Sequence, residues 1–192
     1  RLSMALCDFL ISADIVGYDC DTPPIKGAES IGKIFNRADI DLSSITYVSG
    51  DDWTINNLGW IAGKQGDDVI QNGKTPFVGT QQEMQEGVYQ NTINNTFQFA
   101  ILKQDEDIAK QLFAILNGEF VAAIANKNGT YQIFGLETGL HTTAILRELY
   151  NDDTLAGWLV TMTEEGAAKG NIFLTRNVYN DITNDHDAPE TP

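Results

Sequence analysis

The sequence predicts a mainly β fold, a β-barrel or sandwich with one amphipathic α-helix, α+β by strict count. Three observations carry this. Apolar and polar residues alternate across residues 88–102, a single 3.6-residue period stands at 105–117, and short apolar runs separated by Gly, Asn and Asp fill the chain from 119 onward. A length of 192 residues with 42% hydrophobic composition suits one domain with a sizeable core. The expected division is an N-terminal extended arm over residues 1–26, a β-barrel domain over 27–180 with its helix at about 105–117, and a mobile acidic tail over 181–192.

The arm ends in Thr22-Pro23-Pro24, and consecutive prolines exclude helix and central strand. Residues 31–35 and 45–48 read as short strands, the second closed by Ser49-Gly50-Asp51-Asp52. Residues 53–61 read as strand or irregular chain, and residues 63–74, rich in Gly, Asp, Asn and Lys, as a long loop or extended hairpin tip. In residues 88–102, Tyr89, Ile93, Phe97, Phe99 and Ile101 share one parity and Gln90, Thr92, Asn94, Thr96 and Gln98 the other. That period of two predicts a long strand whose polar face is uncharged, a face able to meet water or another subunit at small desolvation cost where its groups find partners.

Asp105 is placed to cap the helix, Glu106 and Asp107 suit the positive end of its dipole, and Ile108, Leu112, Ile115 and Leu116 form one apolar stripe. Asn117-Gly118 stops it. A meander follows: a strand at 119–125, a tight type I′ turn at Asn128-Gly129, a return at 130–134, and a glycine bend at 135–139. Residues 140–150 read as strand, although 144–150 also suits a helix; then come a turn at 151–153, a strand at 155–163, a turn at 164–170 and a last strand at 171–176. Residues 181–192 hold four acids, no Lys or Arg and almost nothing apolar, the composition of a mobile tail.

Twelve Lys plus Arg against 27 Asp plus Glu leave a net charge of −15. Phosphate-neutralising nucleic-acid binding needs clustered basic residues, which this chain lacks, and an anionic membrane surface is disfavoured for the same reason. No apolar stretch approaches the roughly 20 residues of a membrane helix, and residues 4–10 have neither the basic n-region nor the long h-region of a secretory signal. Met4, after Arg1-Leu2-Ser3, reads either as a start or as lying downstream of a cleaved segment. Cys7 and Cys20 read as free thiols of a cytosolic product rather than a disulfide, and ligands for zinc are not gathered near them.

No catalytic constellation, cofactor motif or metal-ligand set is found. His141 reads as a residue of a sheet surface, and His186 falls in the acidic tail. The doublets Asp51-Asp52, Asp67-Asp68, Asp152-Asp153 and Glu164-Glu165 each read as solvated turns, with acid–base pairs of a glycoside hydrolase or calcium ligands as the sharper but less supported alternative. Trp53, Trp60 and Trp158 would supply the platform of a carbohydrate- or ligand-binding β module, the second class of function considered.

The run Lys33-Ile34-Phe35-Asn36-Arg37-Ala38-Asp39-Ile40-Asp41, the segment Asn95-Thr96-Phe97-Gln98-Phe99, the helix, and the order Asn117-Gly118-Glu119-Phe120, Asn128-Gly129-Thr130-Tyr131, Gly139-Leu140 and Ala156-Gly157-Trp158 together resemble tail-tube-like structural proteins of tailed phages of gut Bacteroides and relatives. These are related in architecture to secretion-system tube proteins. The resemblance spans most of residues 27–176 and contains no chemical signature, so no catalytic residue is carried over. It implies a virion tail protein made in the bacterial cytoplasm, a β-barrel protomer that stacks as rings, commonly hexameric, around a lumen that conducts DNA. Its partners would be other copies of itself and other tail proteins, with no sequence-specific nucleic-acid binding, no membrane and no cofactor. The acidity then serves non-adhesion, because carboxylates repel the phosphates of the polymer. On this reading Asp51, Asp52, Asp67, Asp68, Asp152 and Asp153 are candidates for an acidic lumen. Phe9, Leu10, Ile11, Ile15 and Val16 of the arm, with Gly63, Lys64, Lys74, Gln81 and Gln82, are candidates for subunit contacts.

Overall fold

The computed structural model describes residue 15 and residues 27–71, 73–103, 105–147 and 157–186. Eleven strands lie in two sheets among these residues. The larger sheet contains β1 (Ala28–Asn36), β2 (Thr46–Tyr47), β3 (Thr54–Asn57), β4 (Asp67–Ile70), β7 (Phe120–Asn126), β8 (Tyr131–Phe134) and β11 (Ile172–Leu174), in the order β2-β3-β11-β8-β7-β1-β4. The smaller contains β5 (Gln81–Gln85), β6 (Thr92–Ile101), β9 (His141–Arg147) and β10 (Trp158–Ala167), in the order β5-β6-β10-β9. The fold is mainly β, as the alternation and turn pattern predict. The sheets pack as layers and do not close into a barrel, since among the described residues each keeps two edge strands.

The large sheet is the middle layer, which explains its sequence. Residues 120–125 of β7 are all buried, a continuous apolar run with both faces covered. Val121, Ala123 and Ala125 face one core with Phe35, Ile55 and Ile172. Phe120, Ala122 and Ile124 face the other with Phe97, Phe99, Val160 and Met162 of the small sheet. Helix α1 (Glu106–Asn117) closes the flank of this second core through Leu112, with Ile108 and Ile115 packed against it. Its start is as expected, with the Asp105 side chain accepting the Ile108 N–H at 3.0 Å. Gly118 ends it by close approach rather than by handedness: a Cβ there would lie 2.2 Å from the Phe120 ring.

Four expectations are corrected. Residues 63–74 are not simply a loop, because β4 lies within them and pairs with β1, Ile31 opposite Ile70 and Ile34 opposite Asp67. The hairpin at 128–129 is not type I′, which needs two positive φ values; Gly129 alone has one, at 85°, and Asn126 closes the loop with Thr130 at 2.8 Å. That is a three-residue loop with a left-handed glycine. The stretch 164–170 begins as strand, not turn, with a bulge between Glu164 and Ala167.

The fourth concerns the tail, which does not begin at residue 181. After β11 the chain forms α2 (Arg176–Asp181), capped by Thr175, and Ile182 is fully buried. The Gly66 N–H donates to the Ile182 carbonyl at 2.7 Å and the Gly63 N–H to the His186 carbonyl at 2.6 Å. The His186 ring stacks on Trp60, centroids 4.7 Å apart at 10°. Residues 187–192 lie outside the described residues, as do the turn at 151–153 and most of the arm.

Candidate functional site

The outer face of the small sheet is the most distinctive surface of the molecule. Val160 and Met162 of β10 pair with Phe99 and Phe97 of β6 and point into the core. Alternation therefore places Thr161, Thr163, Thr96 and Gln98 on the opposite face. Asn94 and Thr92 extend it along β6, Gln81, Glu83 and Gln85 along β5, and His141, Thr143 and Ala144 along β9. The face carries no Lys or Arg, and its carboxylates, Glu83 and Glu165, sit toward one end.

Its polar groups bond one another. The Gln98 amide donates to Thr161 Oγ1 at 2.9 Å, Thr143 Oγ1 lies 3.2 Å from Thr163 Oγ1, and Asn94 Oδ1 accepts from the Gly166 N–H at 3.1 Å. Such cross-strand pairs stabilise the sheet and leave few groups seeking a partner. The face is bounded by two edges. Every residue of β5 is exposed, including Met84 at 63%, and β9 is exposed at five of its seven positions. Among the described residues no strand pairs with the outer side of β5 or of β9, and unpaired main-chain groups on a sheet edge are templates for strand addition.

Beneath this face lies a buried polar knot. Glu164, 2% exposed, accepts from Asn95 Nδ2 at 2.7 Å and from the N–H groups of Gly135, Glu137 and Thr138 at 2.8, 3.0 and 3.1 Å. Asn95 Oδ1 in turn accepts from Gln82 Nε2 at 2.8 Å, and the same nitrogen reaches the Gly170 carbonyl. The carboxylate is fully occupied in fixing the 135–139 bend against the small sheet and has no room for acid–base work. Reading Glu164 as part of a solvated turn missed this. A signal existed, because Asn95 is a polar residue on the apolar parity of β6, and a polar group placed inward needs a buried partner.

The four acidic lumen candidates among the described residues do not come together. Asp51 and Asp52 lie between β2 and β3, while Asp67 and Asp68 lie on β4, at opposite edges of the large sheet. Asp51 accepts the Trp53 N–H at 2.8 Å, and the Thr54 hydroxyl first, with that N–H, holds its carboxyl below the usual range. Asp68 pairs with the buried Lys33 ammonium. Asp152 and Asp153 lie outside the described residues.

Of the contact candidates, Phe9, Leu10, Ile11 and Val16 also lie outside them, as do Cys7 and Cys20, and Ile15 is 80% exposed. Gly63 is tied to His186, Lys64 pairs with Asp39 at 3.4 Å, and Lys74 is exposed. Gln81 and Gln82 belong to the β5 edge, Gln82 with its amide spent inward.

A tryptophan platform is not assembled. Trp60 packs on Phe35 and His186, and Trp158 lies under the Arg147 guanidinium. Trp53 is exposed but shares the Lys169 ammonium with Tyr47. Among the described residues no group of three His, Cys, Asp or Glu side chains is placed to hold a metal ion, and no helix is long and apolar enough to cross a membrane. No protein-family model, curated protein or solved structure matches this chain.

Proposed function

We propose that this chain is a structural subunit that assembles with copies of itself into rings or a tube, with the outer face of the small sheet lining a lumen that conducts DNA without binding it. The observation that supports this most is the face rich in Thr, Asn and Gln and without Lys or Arg, bounded by strands that no other described strand pairs on their outer sides. Adjacent strands in β5-β6-β10-β9 are all antiparallel, so β5 and β9 run in opposite directions. A head-to-tail contact in which β5 of one copy meets β9 of the next continues the antiparallel pattern, and it closes into a ring when the rotation permits. Sequence reading assigned the lumen to aspartate doublets. The separation of Asp51 and Asp52 from Asp67 and Asp68 shifts the proposal to this face, which offers phosphates no cation, while the net charge of −15 supplies repulsion at longer range.

The test is a mixed-copy cross-link. One full chain carries Glu83→Cys and the other Ala144→Cys, both with Cys7 and Cys20 replaced by serine. Oxidation is expected to give a disulfide between the two variants and little within either alone. Absence of the mixed species at concentrations where the protein is associated contradicts edge-to-edge assembly.

A further inference from the structure

The core between the two sheets ends, on one side, in amides. Asn126 shares the parity of Ile124 on β7, and Gln132 that of Phe134 on β8, so both stand on the face turned to the small sheet, just beyond the apolar residues of that core. From the other layer comes Gln82 of β5, opposite the buried Asn95 of β6. These three line a cavity of about 390 Å³ over a floor of Phe77, Ile124 and Phe134, a size within the roughly 300–1,000 Å³ of small-ligand sites. Phe77 lies there with a left-handed φ of 56°. A residue other than glycine holds that conformation at a cost, and such strain gathers at functional sites.

The walls select the ligand. Among the described residues the lining contains no Lys, Arg, His, Asp or Glu, so an ionised ligand would give up its hydration for no counter-charge. The donors of the walls are already spent within the chain. Asn126 Nδ2 donates to Thr130 Oγ1 at 3.1 Å and to Gln132 Oε1 at 3.0 Å, and Gln132 Nε2 to Asn171 Oδ1 at 2.9 Å. Gln82 Nε2 donates to Asn95 Oδ1 at 2.8 Å and to the Gly170 carbonyl at 2.6 Å. That leaves the side-chain oxygens of Asn126 and Gln82, which accept no hydrogen bond among the described residues. An occupant that fits is neutral, brings its own donors and turns an apolar face to the floor. We propose that this cavity binds an uncharged sugar residue, its hydroxyls donating to Gln82 Oε1 and Asn126 Oδ1 and its C–H face lying toward Phe77. The site uses none of the three tryptophans, and it stands independently of the tube reading.

The test titrates the full chain with glucose, galactose, mannose and N-acetylglucosamine, with glucuronate and glucosamine as charged controls. Saturation-transfer difference NMR reads the sugar's own signals, so assembly of the protein does not mask binding. At least one neutral sugar is expected to give saturable transfer, and the charged controls far less. Asn126→Ala and Gln82→Ala each remove one free acceptor and are expected to weaken that binding about tenfold. Hydrogen exchange locates the site: the bound sugar slows exchange at residues 77–82 and 126–132, and each variant keeps the native pattern in β9 and β10 as the sign of an intact fold. The absence of saturable transfer from every neutral sugar overturns the inference. So does equal binding by the charged controls, undiminished binding by both variants, or protection confined to the surface around Tyr47 and Trp53.

Discussion

Among the described residues, Glu164 gathers four hydrogen-bond donors on one buried carboxylate. Its carboxylate holds one side-chain amide and three main-chain N–H groups in a site that water does not reach. Each of those donors was solvated in the unfolded chain and has no substitute partner once the carboxylate is removed. An unsatisfied buried donor costs about 1–3 kcal/mol, so Glu164→Ala is expected to destabilise by about 3–5 kcal/mol after partial relaxation. Glu164→Gln, which keeps the shape but turns an acceptor into a donor, should fall between. Denaturant unfolding measures both, and a Glu164→Ala loss under about 1 kcal/mol would falsify the anchoring role.

At the scale of elements, α2 is attached by a residue that titrates. The Tyr179 hydroxyl donates to the Ile31 carbonyl at 2.8 Å, and its ring lies 4.8 Å from Tyr131 and beneath Lys33. Burial first, and the Asp68 carboxylate next, push its pKa from 10.0 up to about 12. The folded state therefore holds this proton more tightly than the unfolded chain does. The stability it contributes is complete below about pH 10 and is lost as pH rises from there toward 12. Melting temperature followed into alkali should fall more steeply for the native chain than for Tyr179→Phe. Parallel curves would remove Tyr179 as a cause.

Elements differ in how far the sequence reveals them. Helix α1 and strand β6 are legible because cap, stripe and alternation are all local. Strand β4, Asp67-Asp68-Val69-Ile70, has no strand pattern of its own; pairing with β1 makes it one. The 182–186 segment is likewise held by a single buried isoleucine and by hydrogen bonds to residues more than a hundred positions away. The polar face was visible on β6 alone, whereas its extension across β10, β9 and β5 depends on register, which composition does not encode.

For the whole molecule, charge and sheet edges act in opposite directions. Copies at −15 repel one another, while the β5 and β9 edges offer main-chain pairing over a short range. Screening shortens the repulsion to a Debye length of about 10 Å at roughly 0.1 M salt and leaves contact hydrogen bonds largely intact. Association is therefore expected to strengthen with salt, the reverse of what a phosphate-binding protein does with DNA. The acidity, first legible only as an argument against nucleic-acid binding, would on the proposed function act as a control on assembly and a barrier to adhesion. Electron microscopy of the full chain across concentration and salt tests this account most directly. It predicts rings or tubes with a central channel, more abundant at higher salt. A population that stays monomeric at every concentration and salt would contradict it.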